Sequence, residues 1–201
     1  MPSIYDLKPK FQNLLRPVCR KLEAAGVTAN AVTLTACGMS LAAGGLVAAF
    51  PNAAWPVLLY PVVLFVRMAL NAIDGMLARE FGQKSRLGAI LNETTDVLSD
   101  AALAVPLLLR PEFGVWPVIA FAFFAVLTEY VGVVSLMVGS PRQYAGPMGK
   151  SDRAFLIGLL ALLAGLGLLA KVWADGVLLV AAALAVLTCL NRARAALKAG
   201  A

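Results

Sequence analysis

Apolar residues run through this chain in long blocks separated by short polar breaks. Six blocks, at about 31–50, 56–79, 87–109, 113–138, 153–171 and 174–191, approach the length of a membrane-spanning helix, which needs about 20 residues. The pattern predicts an all-α polytopic membrane protein: one domain over residues 1–201, with a six-helix transmembrane bundle at 31–195 after an N-terminal segment at 1–30. In that segment Leu7, Phe11, Leu14, Leu15 and Val18 recur at helical spacing, flanked by Lys8, Lys10, Arg16, Arg20 and Lys21. This periodicity predicts an amphipathic helix on the membrane surface. A cleaved signal would need a continuous apolar core, and the alternative is a basic leader that only sets topology.

Two blocks are interrupted by polar residues at helical steps. Asn71, Asp74 and Ala78 fall on one face of the second span, and Gly88, Asn92, Asp96 and Asp100 on one face of the third. The loop between them, Glu80 to Arg86, is short. At about 1.5 Å per residue, Asp74, Asn92 and Asp96 sit roughly 7–14 Å below that loop, at matching depth on adjacent helices.

Composition agrees with the membrane reading. The chain is 61% hydrophobic and 14% charged, against roughly 25% charged in soluble domains, and its mean hydropathy is +0.83. Charge sets the topology. With the N-terminus inside, the inner segments hold Lys8, Lys10, Arg16, Arg20, Lys21, Arg79, Lys84, Arg86, Arg142, Lys150, Arg153, Arg192, Arg194 and Lys198, while the outer loops hold Arg110 and Lys171. This bias places both termini, and with them the polar stripes, on the cytoplasmic side of the cell (inner) membrane. Trp55, Trp116 and Trp173 fall at the outer ends of their spans, where interfacial aromatics belong. The net charge of +6 suits anionic lipid and phosphate, and nothing calls for nucleic acid.

The chain has no histidine, and its cysteines, Cys19, Cys37 and Cys189, match no metal or disulfide spacing. Acid–base or metal chemistry must therefore use carboxylates, amides, hydroxyls or backbone. Carboxylates at bilayer depth are costly and are functional or paired. Oxygen-only ligation selects a hard cation such as Mg²⁺, Mn²⁺ or Ca²⁺, which typically bridges carboxylates to substrate phosphates. Gly75 and Ala78 clear space beside Asp74, and Arg79 and Lys84 stand at the mouth. The residues point to a phosphate-bearing substrate entering from the cytoplasmic interface.

The segment Asn71-Ala-Ile-Asp74-Gly75-Met-Leu-Ala78-Arg79, eight residues, then Gly88-Ala-Ile-Leu-Asn92-Glu93-Thr-Thr-Asp96 resembles the signature of the CDP-alcohol phosphatidyltransferases. That pattern is Asp-x-x-Asp-Gly-x-x-Ala-Arg, eight residues, Gly-x-x-x-Asp-x-x-x-Asp. Asp74, Gly75, Ala78, Arg79, Gly88 and Asp96 match with the spacing intact. The six spans and surface helix also match the family, and Asn30 and Thr33 open span one much as the family's Asn-x-x-Thr does. The match is nearest to a small bacterial subgroup with asparagine at the first and third aspartate positions.

The resemblance implies transfer of a phosphatidyl group from CDP-diacylglycerol to an alcohol acceptor with release of CMP, in phospholipid biosynthesis. It implies Asp96 as base, Asp74 and Asp96 as metal ligands with Asn71 and Asn92 beside them, and one or two Mg²⁺ or Mn²⁺ ions. Gly75, Ala78, Arg79, Gly88, Asn30 and Thr33 would bind the CDP-lipid, and the protein would pair as a homodimer.

The departure from the pattern is equally specific. Asn71 and Asn92 replace two carboxylates, and an amide oxygen binds a hard cation without adding charge. One metal suffices, or Glu93 or Asp100 compensates, or the protein binds CDP-lipid or a pathway enzyme without turnover. Conservative replacement inside an otherwise intact pattern favours an active enzyme. Deeper in the bundle, Arg67 and Asp100 match in depth and are expected to pair, with Glu129 joining them. Arg67 could instead face an anionic substrate. Lys150, Arg153 and, more weakly, Arg142 are candidates for holding the acceptor, with ordinary cytoplasmic charge the alternative. Ser151 is the expected helix cap there. Gly158, Ala161, Gly165 and Gly167 read as close helix packing. A small transporter would explain intramembrane charge but not the motif spacing. No feature names the acceptor alcohol.

Overall fold

The structure is a computed structural model that describes the backbone of residues 4–199 and the side chains of residues 11–199, so the side chains of Leu7, Lys8 and Lys10 lie outside the described residues. The elements are helices: α1 (Ile4–Ala24), α2 (Ala29–Ala49), α3 (Trp55–Leu58), α4 (Tyr60–Glu80), α5 (Arg86–Ala104), α6 (Val115–Val134), α7 (Lys150–Gly165) and α8 (Lys171–Ala199). Short 3₁₀ turns at Val105–Leu109 and Ser135–Val138 extend α5 and α6. Among the described residues there is no strand.

Four segments, Ala29–Ala49, Trp55–Glu80, Val115–Val138 and Lys171–Ala199, are long and apolar enough to cross a membrane. The two remaining segments fall short for physical reasons. α7 has only 16 residues, and α5 carries Glu93, Asp96 and Asp100 within 19.

Side-chain distribution is inverted relative to a water-soluble protein. Large apolar groups such as Phe65, Phe123, Phe155 and Val180 are exposed, whereas Arg67, Asp74, Asp96, Glu129, Arg153 and Arg192 are buried. Such an outer surface suits acyl chains, and the buried charges need partners inside.

The ends of the bundle are fixed by specific contacts. At one end, Arg110 donates to the Ala53 carbonyl and pairs with Glu112, and the Gly114 N–H donates to Asp175 Oδ1 at 2.6 Å. Trp55, Trp116 and Trp173 open α3, α6 and α8 at this same end. At the other end, α1 lays Leu15, Cys19 and Leu22 on Ala29, Val32, Ile73, Met76 and Leu77 of α2 and α4. Leu14 and Val18 remain exposed on its other side. Gln83, between α4 and α5, ties that loop to the start of α2: its Oε1 accepts from the Ala29 N–H at 2.6 Å.

Small residues set helix spacing. A methyl group on Gly44 would meet the Ala102 backbone of α5, one on Gly158 would lie 3.3 Å from Leu64, and one on Gly165 would lie 2.6 Å from Leu58. Ala161 is fully buried beside them. Gly167 departs from the packing expected of it: with φ +69° it follows the end of α7 and reverses the chain. The fifth apolar block therefore ends as helix at Gly165. Its start also differs from expectation. Gly149 is the N-cap, its N–H donating to Asp152 Oδ2 at 2.9 Å, and Ser151 lies within the first turn.

Candidate active site

The polar stripes of α4 and α5 face each other, and each carboxylate is oriented by a neighbouring element. The Thr33 hydroxyl of α2 donates to Asp74 Oδ2 at 2.7 Å. Asp96 Oδ1 accepts from the Lys150 ammonium at the start of α7 and lies 3.8 Å from Arg67.

Beneath them runs a continuous ion-pair network. Arg67 donates to Asp100 Oδ1 at 2.7 Å. Arg153 bridges Asp100 Oδ2 at 2.9 Å and Glu129 Oε1 at 2.8 Å, and also donates to the Thr128 hydroxyl at 2.8 Å. Arg142 bridges Glu129 Oε2 at 2.8 Å and Glu93 Oε2 at 2.6 Å. Arg192 lies 3.6 Å from Glu129 Oε1 and donates to the Thr128 carbonyl. The expected Arg67–Asp100 pair is present, and Glu129 joins it through Arg153. A charge this deep is tolerable only when so paired.

Two cavities open above the network and share Asp74, Gly75, Arg79, Asn92 and Arg142. The first, about 430 Å³, is further lined by Asn30, Thr33, Ala78, Lys84, Ser85 and Gly88. The second, about 490 Å³, is further lined by Asn71, Asp96, Glu129, Lys150 and Arg192. Glycine has a definite task at two motif positions. A methyl on Gly75 would come within 2.8 Å of the Arg79 guanidinium, and one on Gly88 within 2.8 Å of Asn30 Oδ1. Each glycine lets a polar side chain fold across bare backbone.

The structure thus gathers Asn71, Asp74, Asn92 and Asp96 around one cavity, and Asn30, Thr33, Gly75, Ala78, Arg79 and Gly88 around its neighbour. It takes four other candidates away from the substrate-binding or compensating role read for them. Arg153 is 2% exposed, lines neither cavity and is committed to Asp100 and Glu129. Asp100 is held between Arg67 and Arg153 instead of lying among the motif oxygens, and Glu93 is turned to Arg142. Arg67 is 3% exposed and faces carboxylates. Sequence reasoning passed over Arg192, counting it only as cytoplasmic charge. The available signal was its position one turn after Thr188, on the same helix face. Tyr144, whose ring lies 4.4 Å from the Arg142 guanidinium, carried no signal in the sequence.

The donor set fits a hard divalent cation: two carboxylates and two amides, all oxygen, around one cavity. Among the described residues no group of three or more acidic, histidine or cysteine side chains is placed to hold a metal ion by itself. Among the four motif residues the negative charge rests on Asp74 and Asp96, since Glu129 in the same cavity is paired with Arg142 and Arg153.

A sequence profile of the CDP-alcohol phosphatidyltransferase family matches residues 27–190. The chain belongs to this family of membrane transferases of phospholipid biosynthesis. It is 46% identical over 195 residues to the inner membrane protein YnbA of Escherichia coli, covering 97% of this chain and 96% of that one. It is 32% identical over 115 residues to the phosphatidylinositol phosphate synthase of Mycolicibacterium smegmatis, covering 57% of this chain and 50% of that protein. The fold resembles crystal structures of Mycobacterium tuberculosis phosphatidylinositol phosphate synthase. The form with CDP-DAG bound superposes with TM-score 0.74 at 22% identity, covering 90% of this chain and 92% of that one. The form in complex with manganese and citrate gives the same score and covers 88% of that chain.

Proposed function

We propose that the two cavities hold the two substrates of a phosphatidyl transfer, donor and acceptor, and that the shared motif residues mark where they react. The single observation that carries this reading is that Asp74 and Asn92 lie on the boundary between the cavities. CDP-diacylglycerol places its cytidine and diphosphate in the first cavity, beside Asn30, Thr33, Gly75, Ala78, Arg79 and Gly88. The acceptor alcohol enters the second. Asp96 takes the hydroxyl proton, the hydroxyl oxygen bonds to the phosphorus that carries diacylglycerol, the bond from that phosphorus to CMP breaks, and CMP leaves. A bound Mg²⁺ or Mn²⁺, held by Asp74 and Asp96 with the amide oxygens of Asn71 and Asn92, would supply neutralisation of the diphosphate charge. Thr33 holds Asp74 in place, and Arg79 stands over Gly75 to meet a phosphate oxygen. Arg142, Lys150 and Arg192 line the acceptor side, which suits an acceptor with an anionic group.

The same reading places the protein in the inner membrane with six spans, α5 and α7 included, since their charges turn inward and their outer faces are apolar. The polar end is cytoplasmic, with both termini, and α1 rests on the membrane surface with Leu14 and Val18 toward lipid. A homodimer follows from family resemblance and is checked by mass measurement in detergent.

The test is CMP release by purified protein with CDP-diacylglycerol, Mg²⁺ or Mn²⁺ and a panel of acceptors: water, glycerol, glycerol phosphate, serine, inositol phosphate and phosphatidylglycerol. Release with at least one acceptor supports the reading, and silence across the panel from folded protein overturns it. A second reading, a CDP-lipid-binding protein without turnover, draws on Asn71 and Asn92. It predicts that CDP-diacylglycerol raises the melting temperature while CMP appears only after Asn71→Asp and Asn92→Asp are introduced together.

A further inference from the structure

We propose that the Lys150 ammonium is a resident cation of the metal site, so that this chain binds one divalent ion there where a fully acidic version of the motif would call for more. The proposal rests on the metal site described above and concerns how its charge is balanced. Asp74 and Asp96 are the carboxylates among the four motif oxygens, and Lys150 sits on one of them. Arg67, 3.8 Å from Asp96, is matched by Asp100 at 2.7 Å, so the two carboxylates and one ammonium leave a net charge of −1. A single divalent ion brings this to +1, a fair match for an incoming diphosphate. A second ion would bring it to +3 with amides, which carry no charge, as its remaining ligands.

Lys150 is held in place rather than draped over the cavity. It is the first residue of α7, preceded by Gly149 as N-cap. One turn on, Arg153 is fastened to Asp100 at 2.9 Å and Glu129 at 2.8 Å, which pins the first turn of the helix. Just before it, the Met148 N–H donates to the Thr188 hydroxyl of α8 at 3.0 Å. With the backbone fixed on both sides, the ammonium is directed to Asp96 while its side chain stays 28% exposed to the cavity. Lysine suits the role as a compact point charge, unlike the forked guanidinium. Asn71 and Asn92 and the lysine act in the same direction: two carboxylates fewer than the acidic motif and an ammonium on one of the two that remain.

The test is Mn²⁺ titration of purified protein without substrate, counting bound ions by electron paramagnetic resonance, with thermal unfolding to establish that each variant is folded. Wild type and Lys150→Arg should bind one Mn²⁺ per chain. Lys150→Gln, or Lys150→Met should the first not fold, should tighten that binding on the order of tenfold, because a like charge a few ångströms from the ion is gone. The combined Asn71→Asp, Asn92→Asp, Lys150→Gln chain should bind two. Two ions or none in wild type, or unchanged affinity in Lys150→Gln, overturns the proposal. Turnover is not read in this titration. One Mn²⁺ with the stated lysine dependence but no CMP release sinks the transfer reaction alone, and CMP release with two Mn²⁺ per chain sinks the lysine's role alone.

Discussion

Replacing Glu129 by glutamine removes the hub of the buried ion network and leaves the side chain's shape nearly intact. Its carboxylate meets Arg142 and Arg153 at 2.8 Å each and Arg192 at 3.6 Å, and it is 5% exposed on the side-chain scale. The variant would leave those guanidinium groups facing one another without the carboxylate between them. Removing one member of a buried ion pair costs about 3–5 kcal/mol, so a loss of at least that size is expected here. For a chain of this length that corresponds to a fall in melting temperature on the order of 10 °C. The internal control is Glu80→Gln. Its partner Arg16 is bound at 3.0 Å, but both side chains are more than a third exposed, at 37% and 35%, and such pairs contribute roughly 0–1 kcal/mol. Thermal unfolding in one detergent, followed by intrinsic tryptophan fluorescence, compares the two variants directly. Equal shifts for Glu129→Gln and Glu80→Gln would refute the claim that the interior network holds α5, α6, α7 and α8 together.

Other substitutions probe the packing and the two cavities separately. Thr33→Val deletes the 2.7 Å hydrogen bond to Asp74. Bonds to charged groups contribute about 1.5–3 kcal/mol, so CMP release should fall roughly tenfold or more with little change in melting temperature. Gly88→Ala drives a methyl against Asn30 Oδ1 at 2.8 Å and should raise the KM for CDP-diacylglycerol several-fold, leaving the acceptor KM unchanged. Gly44→Ala forces a methyl against the Ala102 backbone. Overpacking costs about 1–3 kcal/mol or more, and the melting temperature should drop by about 5 °C without a selective effect on either substrate.

Sequence periodicity was a good guide wherever one helix acted alone. The Asn71–Asp74 and Asn92–Asp96 steps placed those side chains on faces that do meet, and depth counting paired Arg67 with Asp100 before any contact was known. It failed where the partner lay elsewhere in the chain. Lys150 and Arg153 are three residues apart and read alike, yet one reaches into the cavity while the other is sealed against Asp100 and Glu129. Only the approach of α7 to α5 and α6 decides between them. Arg192 was hidden for the same reason, since its partners Glu129 and Thr128 lie on α6, more than sixty residues earlier. Glu93 looked free to compensate for Asn92 until Arg142 was seen beside it. Helix ends were the least legible: the cap at Gly149 depends on Asp152 folding back, and Gly167, which the sequence suggested as helix packing, closes α7 by its backbone conformation. The apolar pattern overran α7 because Leu166 to Leu169 are oily whether or not they are helical.

The most direct measurement of the central claim is the joint yield of CMP and phosphatidyl product from CDP-diacylglycerol, quantified by mass spectrometry in one reaction, for wild type and for Asp96→Asn. The account predicts equal molar amounts of the two products from wild type and a loss on the order of a hundredfold or more in both from the variant, as expected for removal of a positioned base. Wild-type protein that binds CDP-diacylglycerol yet forms neither product, or an Asp96→Asn variant as active as wild type, would contradict it.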